Sequence, residues 1–141
     1  MLKIKIYSVG KTKEHWLQEA LDEYAQRLKP ILSLEWILAK NDLQLKQLLA
    51  KESDFICLDP LGKQSSSEEF STLLMSLFQK YDSRLCFVIG GAEGIAPEIK
   101  AKSVHMISFS RMTFTHQMTR LVLVEQIYRA IEIWKNSPYH K

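Results

Sequence analysis

Three short segments and a terminal cluster hold the groups that could do chemistry in this chain. Leu58-Asp59-Pro60-Leu61-Gly62-Lys63 closes an apolar run. Ile89-Gly90-Gly91-Ala92-Glu93-Gly94 closes another, and its glycines permit positive φ and close backbone approach to a ligand. Ile107 to Gln117 gathers hydroxyls, apolar side chains and one cation, Arg111, ahead of a long helical pattern. Backbone N–H groups at a helix start lack intrahelical partners, so such a place favours anions and polar acceptors. The end, Ser137-Pro138-Tyr139-His140-Lys141, combines a ring that can stack on a base, an imidazole and a cation that can pair with phosphate. Each feature also has a plainer reading. The glycines make a tight turn, Ser110, Thr113 or Thr115 caps the helix, and the end is an ordinary loose terminus.

Other chemistries find no pattern. Neither G-x-G-x-x-G nor G-x-x-x-x-G-K-[ST] is present, so the glycine segment is not a dinucleotide fingerprint or a phosphate loop. His15, His105, His116, His140, Cys57 and Cys86 show no metal-ligand spacing. There is no nucleophile elbow.

The elements that must position these segments follow from periodicity. Leu2 to Val9 alternates apolar and polar residues, a strand ended by Gly10. Trp16, Leu17, Ala20, Leu21, Tyr24 and Leu28 recur at helical spacing over Glu14 to Leu28, and Pro30 stops that helix. Leu34 to Leu38 reads as a strand, and Leu43 to Leu49 as a short helix capped by Asn41 or Asp42. Asp54 to Asp59 is an almost wholly apolar strand, followed by a turn over Pro60 to Lys63. Ser65 to Glu69 looks like a capping sequence for a helix over Phe70 to Tyr81. Leu85 to Ile89 is a strand, Pro97 to Ala101 a helical turn, His105 to Phe109 a strand, and Thr115 to about Lys135 the longest helix. Strands alternating with helices predict one α/β domain, over residues 1–141, with a mostly parallel sheet. Ligands of such sheets bind at the carboxyl ends of the strands, where all three segments fall.

The last helix is apolar over most of its circumference, leaving a narrow stripe of Glu125, Gln126, Arg129 and Glu132. Such a helix is covered on more than one side, by a second subunit or by a surrounding core. The 141 residues suffice for a real core, and 46% hydrophobic with 25% charged residues is an ordinary globular composition. The net charge of +3 fits an acidic partner without requiring one. Cys57 and Cys86 sit in apolar runs and read as buried, reduced thiols of a cytoplasmic protein. No signal peptide and no membrane span are expected.

Taken together, Phe87 to Gly94, Ser108 to Phe114, His116-Gln117, Glu125 to Ala130 and Pro138-Tyr139-His140-Lys141 resemble the RlmH family of SPOUT-class methyltransferases. The resemblance extends from the first strand to the last residue. It implies a parallel α/β sheet whose C-terminal part is threaded into a deep trefoil knot holding a bent S-adenosylmethionine. It implies a cofactor pocket of Leu58, Gly90, Phe109, Ser110, Arg111, Met112, Thr113 and Phe114. It implies a homodimer whose active site is completed across the interface, with no metal, acting on N3 of a pseudouridine in 23S rRNA of the assembled ribosome. Thr115 departs from the family, in which many members have proline; threonine can cap the helix instead.

N3 must lose its proton, and histidine ordinarily titrates near neutrality, at about 6.5. His140 is favoured over His116 as the base because the tail can reach a partner's pocket. Tyr139 would stack on the target base, and Arg129 and Lys141 would hold phosphate or the developing anion. The alternatives are a SPOUT methyltransferase of tRNA, a catalytically idle ribosome-binding factor, and a flavodoxin-type nucleotide-binding domain.

Overall fold

The computed structural model describes residues 1–140. Five strands and five helices alternate: β1 (Leu2–Val9), α1 (His15–Leu28), β2 (Leu32–Ala39), α2 (Asp42–Leu49), β3 (Ile56–Gln64), α3 (Ser67–Lys80), β4 (Arg84–Ile89), α4 (Pro97–Lys100), β5 (His105–Ser108) and α5 (His116–Trp134). All strand pairs are parallel, in the order β2-β1-β4-β3-β5. The expected α/β class with a parallel sheet is what forms.

A parallel sheet needs cover on both faces, and strand alternation divides the core accordingly. Ile4 and Ile6, Ile56 and Leu58, and Leu85, Phe87 and Ile89 point to one side, against α1, α3 and α5. Tyr7, Cys57, Cys86 and Val88 point to the other, against Leu45 and Leu49 of α2 and Ile99 of α4. Both cysteines are free and buried, as expected.

The helix starts are set by caps. Asn41, not Asp42, caps α2: its side chain accepts from the Gln44 amide. Ser66 and Glu69 form a complete capping box, so α3 begins at Ser67, three residues earlier than the apolar pattern implied. Of the three hydroxyls considered for α5, Thr115 is the cap, its Oγ1 accepting from Met118 N at 3.1 Å.

One expectation is corrected. Pro60 to Lys63 is not a turn that ends the third strand. Leu58 and Lys63 both pair with Ile107, so β3 continues past a four-residue bulge, Asp59 to Gly62. Three residues explain it. Pro60 has no N–H to give to a ladder and tolerates a bulge. The Asp59 carboxylate accepts from Leu61 N at 2.9 Å, closing the loop locally. Gly62 lies so close to β5 that a Cβ there would stand 2.6 Å from the Ile107 amide nitrogen.

Candidate active site

Residues of β3, β4 and β5 and of the loops that follow them line one cleft of about 240 Å³. Its walls include Leu58 and Asp59 from β3, Gly90 to Ala92 and Gly94 after β4, and Phe109, Ser110, Met112, Thr113 and Phe114 after β5. Strand order makes this possible, because β4, β3 and β5 are neighbours. Seven of the eight residues assigned to a cofactor from the sequence therefore lie around one space. The eighth, Arg111, is exposed and is not among the lining residues.

The glycine segment takes its shape locally. Gly94 N donates to the Gly91 carbonyl at 3.0 Å, closing a tight turn, with Gly94 at φ +83°. Gly90 packs on that turn from below; a Cβ on it would stand 2.5 Å from the Gly94 carbonyl carbon. The β5–α5 loop is held by its own hydroxyls. Ser108 Oγ donates to the Ser110 carbonyl at 2.9 Å, and Ser110 Oγ accepts from Met112 N at 3.0 Å. These bonds leave Met112 75% and Phe114 40% exposed at the cleft rim. Large apolar groups left open beside a cleft mark a place where a ligand or partner covers them. A second cavity of about 180 Å³ shares Ile107, Ser108, Phe109 and Phe114 with the first and extends to Ser65, Ser66, Ser67 and Gln126. Together the two reach the roughly 300–1,000 Å³ range of small-ligand sites.

Asp59 is a buried carboxylate in the cleft wall, paired with Lys100 at 3.3 Å. His116 and Thr119 complete the wall from α5. Burial holds the His116 imidazole below its ordinary pKa, aided by the positive charges of Arg120 and Lys13.

The terminal cluster sits elsewhere. Arg129 lies ten residues beyond Thr119, about 15 Å along the helix. Its guanidinium bonds Glu125 through Nη2 at 2.8 Å, and its Nη1 lies 3.0 Å from His140 Nδ1. Tyr139 Oη donates to the same Glu125 carboxylate at 2.9 Å, and its ring meets Tyr128 edge-on with centroids 4.7 Å apart. His140 Nε2 lies 3.3 Å from Glu68 Oε1. Arg129, Tyr139 and His140 are thus brought together, and the tail is docked rather than loose. Lys141 lies outside the described residues.

Guanidinium can only donate, so His140 Nδ1 is an acceptor and the ring proton sits on Nε2, directed at Glu68. Burial, with the bonds to Tyr24 and Glu125, raises the Tyr139 phenol well above its usual range, so it stays a donor. A hydrogen-bonded path joins this cluster to the second cavity: Ser67 Oγ donates to Gln126 Oε1 at 2.7 Å, and Gln126 Nε2 to Glu125 at 2.9 Å.

Sequence reasoning missed one residue. Arg120 is completely buried, with 0% exposure, in a helix stripe that otherwise reads as apolar. It donates to Ser8 Oγ, Thr12 Oγ1 and the carbonyls of Val9 and Gly10, at 2.7–3.2 Å. All four acceptors are neutral. Among the described residues, no group of three or more His, Cys, Asp or Glu side chains could hold a metal, and no helix is long and apolar enough to cross a membrane.

A family model described as a predicted SPOUT methyltransferase matches residues 2–140. The chain belongs to the SPOUT methyltransferase family. Over 141 residues, all of both chains, this methyltransferase is 55% identical to the ribosomal RNA large subunit methyltransferase H of Protochlamydia amoebophila. It is 39% identical to the protein of that name from Geobacter sulfurreducens, over 152 residues and 99% of each chain. Among solved structures, a probable methylase family protein from Haemophilus influenzae Rd KW20 superposes with TM-score 0.58 at 11% identity, covering 99% of this chain and 70% of that one. A probable methyltransferase from Bordetella pertussis Tohama I does so with TM-score 0.57 at 9% identity, covering 92% and 95%. At those identities the structures speak for the fold alone, which agrees with the parallel sheet described above.

Proposed function

We propose that this SPOUT methyltransferase transfers a methyl group from S-adenosylmethionine to N3 of a pseudouridine in 23S rRNA, presented by the assembled ribosome in the cytoplasm. One observation carries the reading: three loops of adjacent strands meet in one cleft, in a chain matched from end to end by relatives named for large-subunit rRNA methylation.

S-adenosylmethionine, when bound, supplies an electrophilic methyl group on a sulfonium. The chain supplies position and electrostatics. Leu58, Ile89, Phe109, Met112 and Phe114 offer apolar wall, while the backbone of the Gly90–Gly94 turn and of the Ser108–Thr115 loop offers donors and acceptors for polar edges. The C-terminal trefoil knot belongs to this reading. So does a homodimer, in which the tail of one copy completes the cleft of the other; the distance along α5 between Arg129 and the cleft supports that division.

His140 is the proposed base. In the docked tail its Nδ1 is occupied by Arg129 and its Nε2 carries the proton. Accepting a proton from N3 therefore requires that Nδ1 leave Arg129 when RNA enters. Arg129, still held by Glu125, then has Nη1 free to donate to the developing anion, and Tyr139 stacks on the target base.

The test is transfer of radiolabelled methyl from S-adenosylmethionine to ribosomes lacking the modification, separated large subunits, free rRNA and tRNA. Label on a pseudouridine with assembled ribosomes alone is expected. Label on tRNA would overturn the substrate, and no label despite cofactor binding would point to an idle ribosome-binding factor. Loss of turnover in His140→Ala, with cofactor affinity unchanged, is expected; full turnover across pH would remove His140 as the base.

A further inference from the structure

The β1–α1 loop, Gly10 to Glu14, takes no part in the function proposed above, yet it is held from two sides. Arg120 grips it from below through Val9, Gly10 and Thr12. Gln117, one helical turn earlier, holds its far side: Nε2 donates to the Lys11 carbonyl at 3.0 Å, and Oε1 accepts from Lys13 N at 3.1 Å. Both grips come from the first turns of α5, the same turns whose His116 and Thr119 line the cleft. The loop is therefore fixed in register with the cleft. Its exposed side chains are Lys11, Lys13 and, where α1 begins, Glu14, so the lysines outnumber the one carboxylate. Beneath them lies the Arg120 guanidinium, a buried cation whose partners among the described residues are all neutral. A buried charge without a counter-ion is costly and is normally paired. Here the hydrogen bonds satisfy its donors, and its charge adds to the field of the two lysines. Lys13 is near enough to His116 for its charge to oppose protonation of that imidazole. A rigid loop that concentrates positive charge beside a cleft acting on nucleic acid has the chemistry of a phosphate contact. Such contacts set register and orientation rather than sequence.

We infer that the Lys11–Lys13 loop, clamped by Gln117 and Arg120, is a docking platform that takes backbone phosphates of the RNA flanking the target nucleotide. This rests on the proposed RNA methyltransferase function. A second anion, the carboxylate of the methyl donor, has the same chemistry, and the experiment separates the two.

The variants are Lys11→Gln, Lys13→Gln and the double substitution, made in the full chain. Methyl transfer to unmodified ribosomes gives kcat and KM, co-sedimentation with ribosomes over a potassium chloride series gives affinity, and calorimetry gives the affinity for S-adenosylmethionine. Removing one lysine–phosphate pair lowers the slope of log K against log salt by somewhat less than 1. The double variant is expected to lower that slope by about two such steps, raise KM roughly tenfold or more, and leave kcat, donor affinity and oligomeric mass unchanged. An unchanged salt slope overturns the inference. So does weakened donor binding with RNA affinity intact, which would assign the loop to the donor's carboxylate, or a changed mass, which would assign it to a subunit interface. Wild-type protein that methylates ribosomes alongside unaffected variants would sink the platform alone. Wild-type protein that neither binds nor methylates any RNA would sink the functional reading as well.

Discussion

Cys57 lies near the start of β3, its thiol facing the core under α4, and burial pushes its pKa up to about 11. Cys86 is raised further by the same cause. At pH 8 a thiol with such a pKa is thiolate in only about one molecule in a thousand, and thiolate is the reactive form. Neither cysteine should react with an aromatic disulfide reagent in the folded protein, and both should react in denaturant. His116 tests the cleft itself. Its pKa lies below the 6.5 of an unperturbed imidazole, so between those two values the unfolded chain binds more protons than the folded one. The stability it contributes is complete above about 6.5 and is lost as pH falls through the folded pKa. His116→Asn should flatten the fall in melting temperature on acidification, and Lys13→Gln should raise the His116 midpoint in an NMR titration. Burial of the cysteines was legible in the sequence because each sits in an apolar run. Arg120 was not: one arginine in a helix looks like surface, and its partners Ser8, Val9, Gly10 and Thr12 lie more than 100 positions away.

At the scale of elements, local rules decided most boundaries. The Ser66–Glu69 capping box and the Thr115 cap are short-range devices, visible as residue types at fixed spacing. Ser66→Ala should lower stability by about 1 kcal/mol with little change in methyl transfer, measured by chemical denaturation. The bulge in β3 was illegible for the opposite reason. Pro60 and Gly62 announce a turn, but the return of Lys63 to Ile107 depends on β5, some forty positions onward. Gly90 sits between these cases. Its type announces a turn, while its necessity comes from contact with Gly94 and Ile95. A methyl group at 2.5 Å from backbone cannot be accommodated without moving the turn, so Gly90→Ala should abolish measurable binding of S-adenosylmethionine by calorimetry while the helical circular dichroism persists.

For the whole molecule, α5 carries the unmet demand. Leu123, Val124, Ile127, Ala130 and Ile131 are buried against α1, α3 and the sheet, satisfying one side of the helix. Met118, Val122 and Ile133 lie along one stripe on the other side, Met118 exposed and the other two partly covered, with Glu125, Gln126 and Arg129 between them. A second copy laid against that stripe would cover it and bring a tail toward the opposite cleft. Sedimentation equilibrium should give twice the chain mass of 16.4 kDa, and Met118→Glu with Ile133→Glu should return it to a single chain with unchanged circular dichroism.

The clasp between Arg120 and the first loop also sets a timetable. Its hydrogen bonds close over 108 to 112 residues of chain. Synthesis adds about 5–20 residues per second, so the amino-terminal loop waits roughly 5–20 s for its arginine to be made. Until then β1 and β2 can pair, but the wall that His116 and Thr119 of α5 give the cleft does not exist. A nascent chain of this protein therefore lacks a complete cleft until α5 has been made and has folded back onto the first loop.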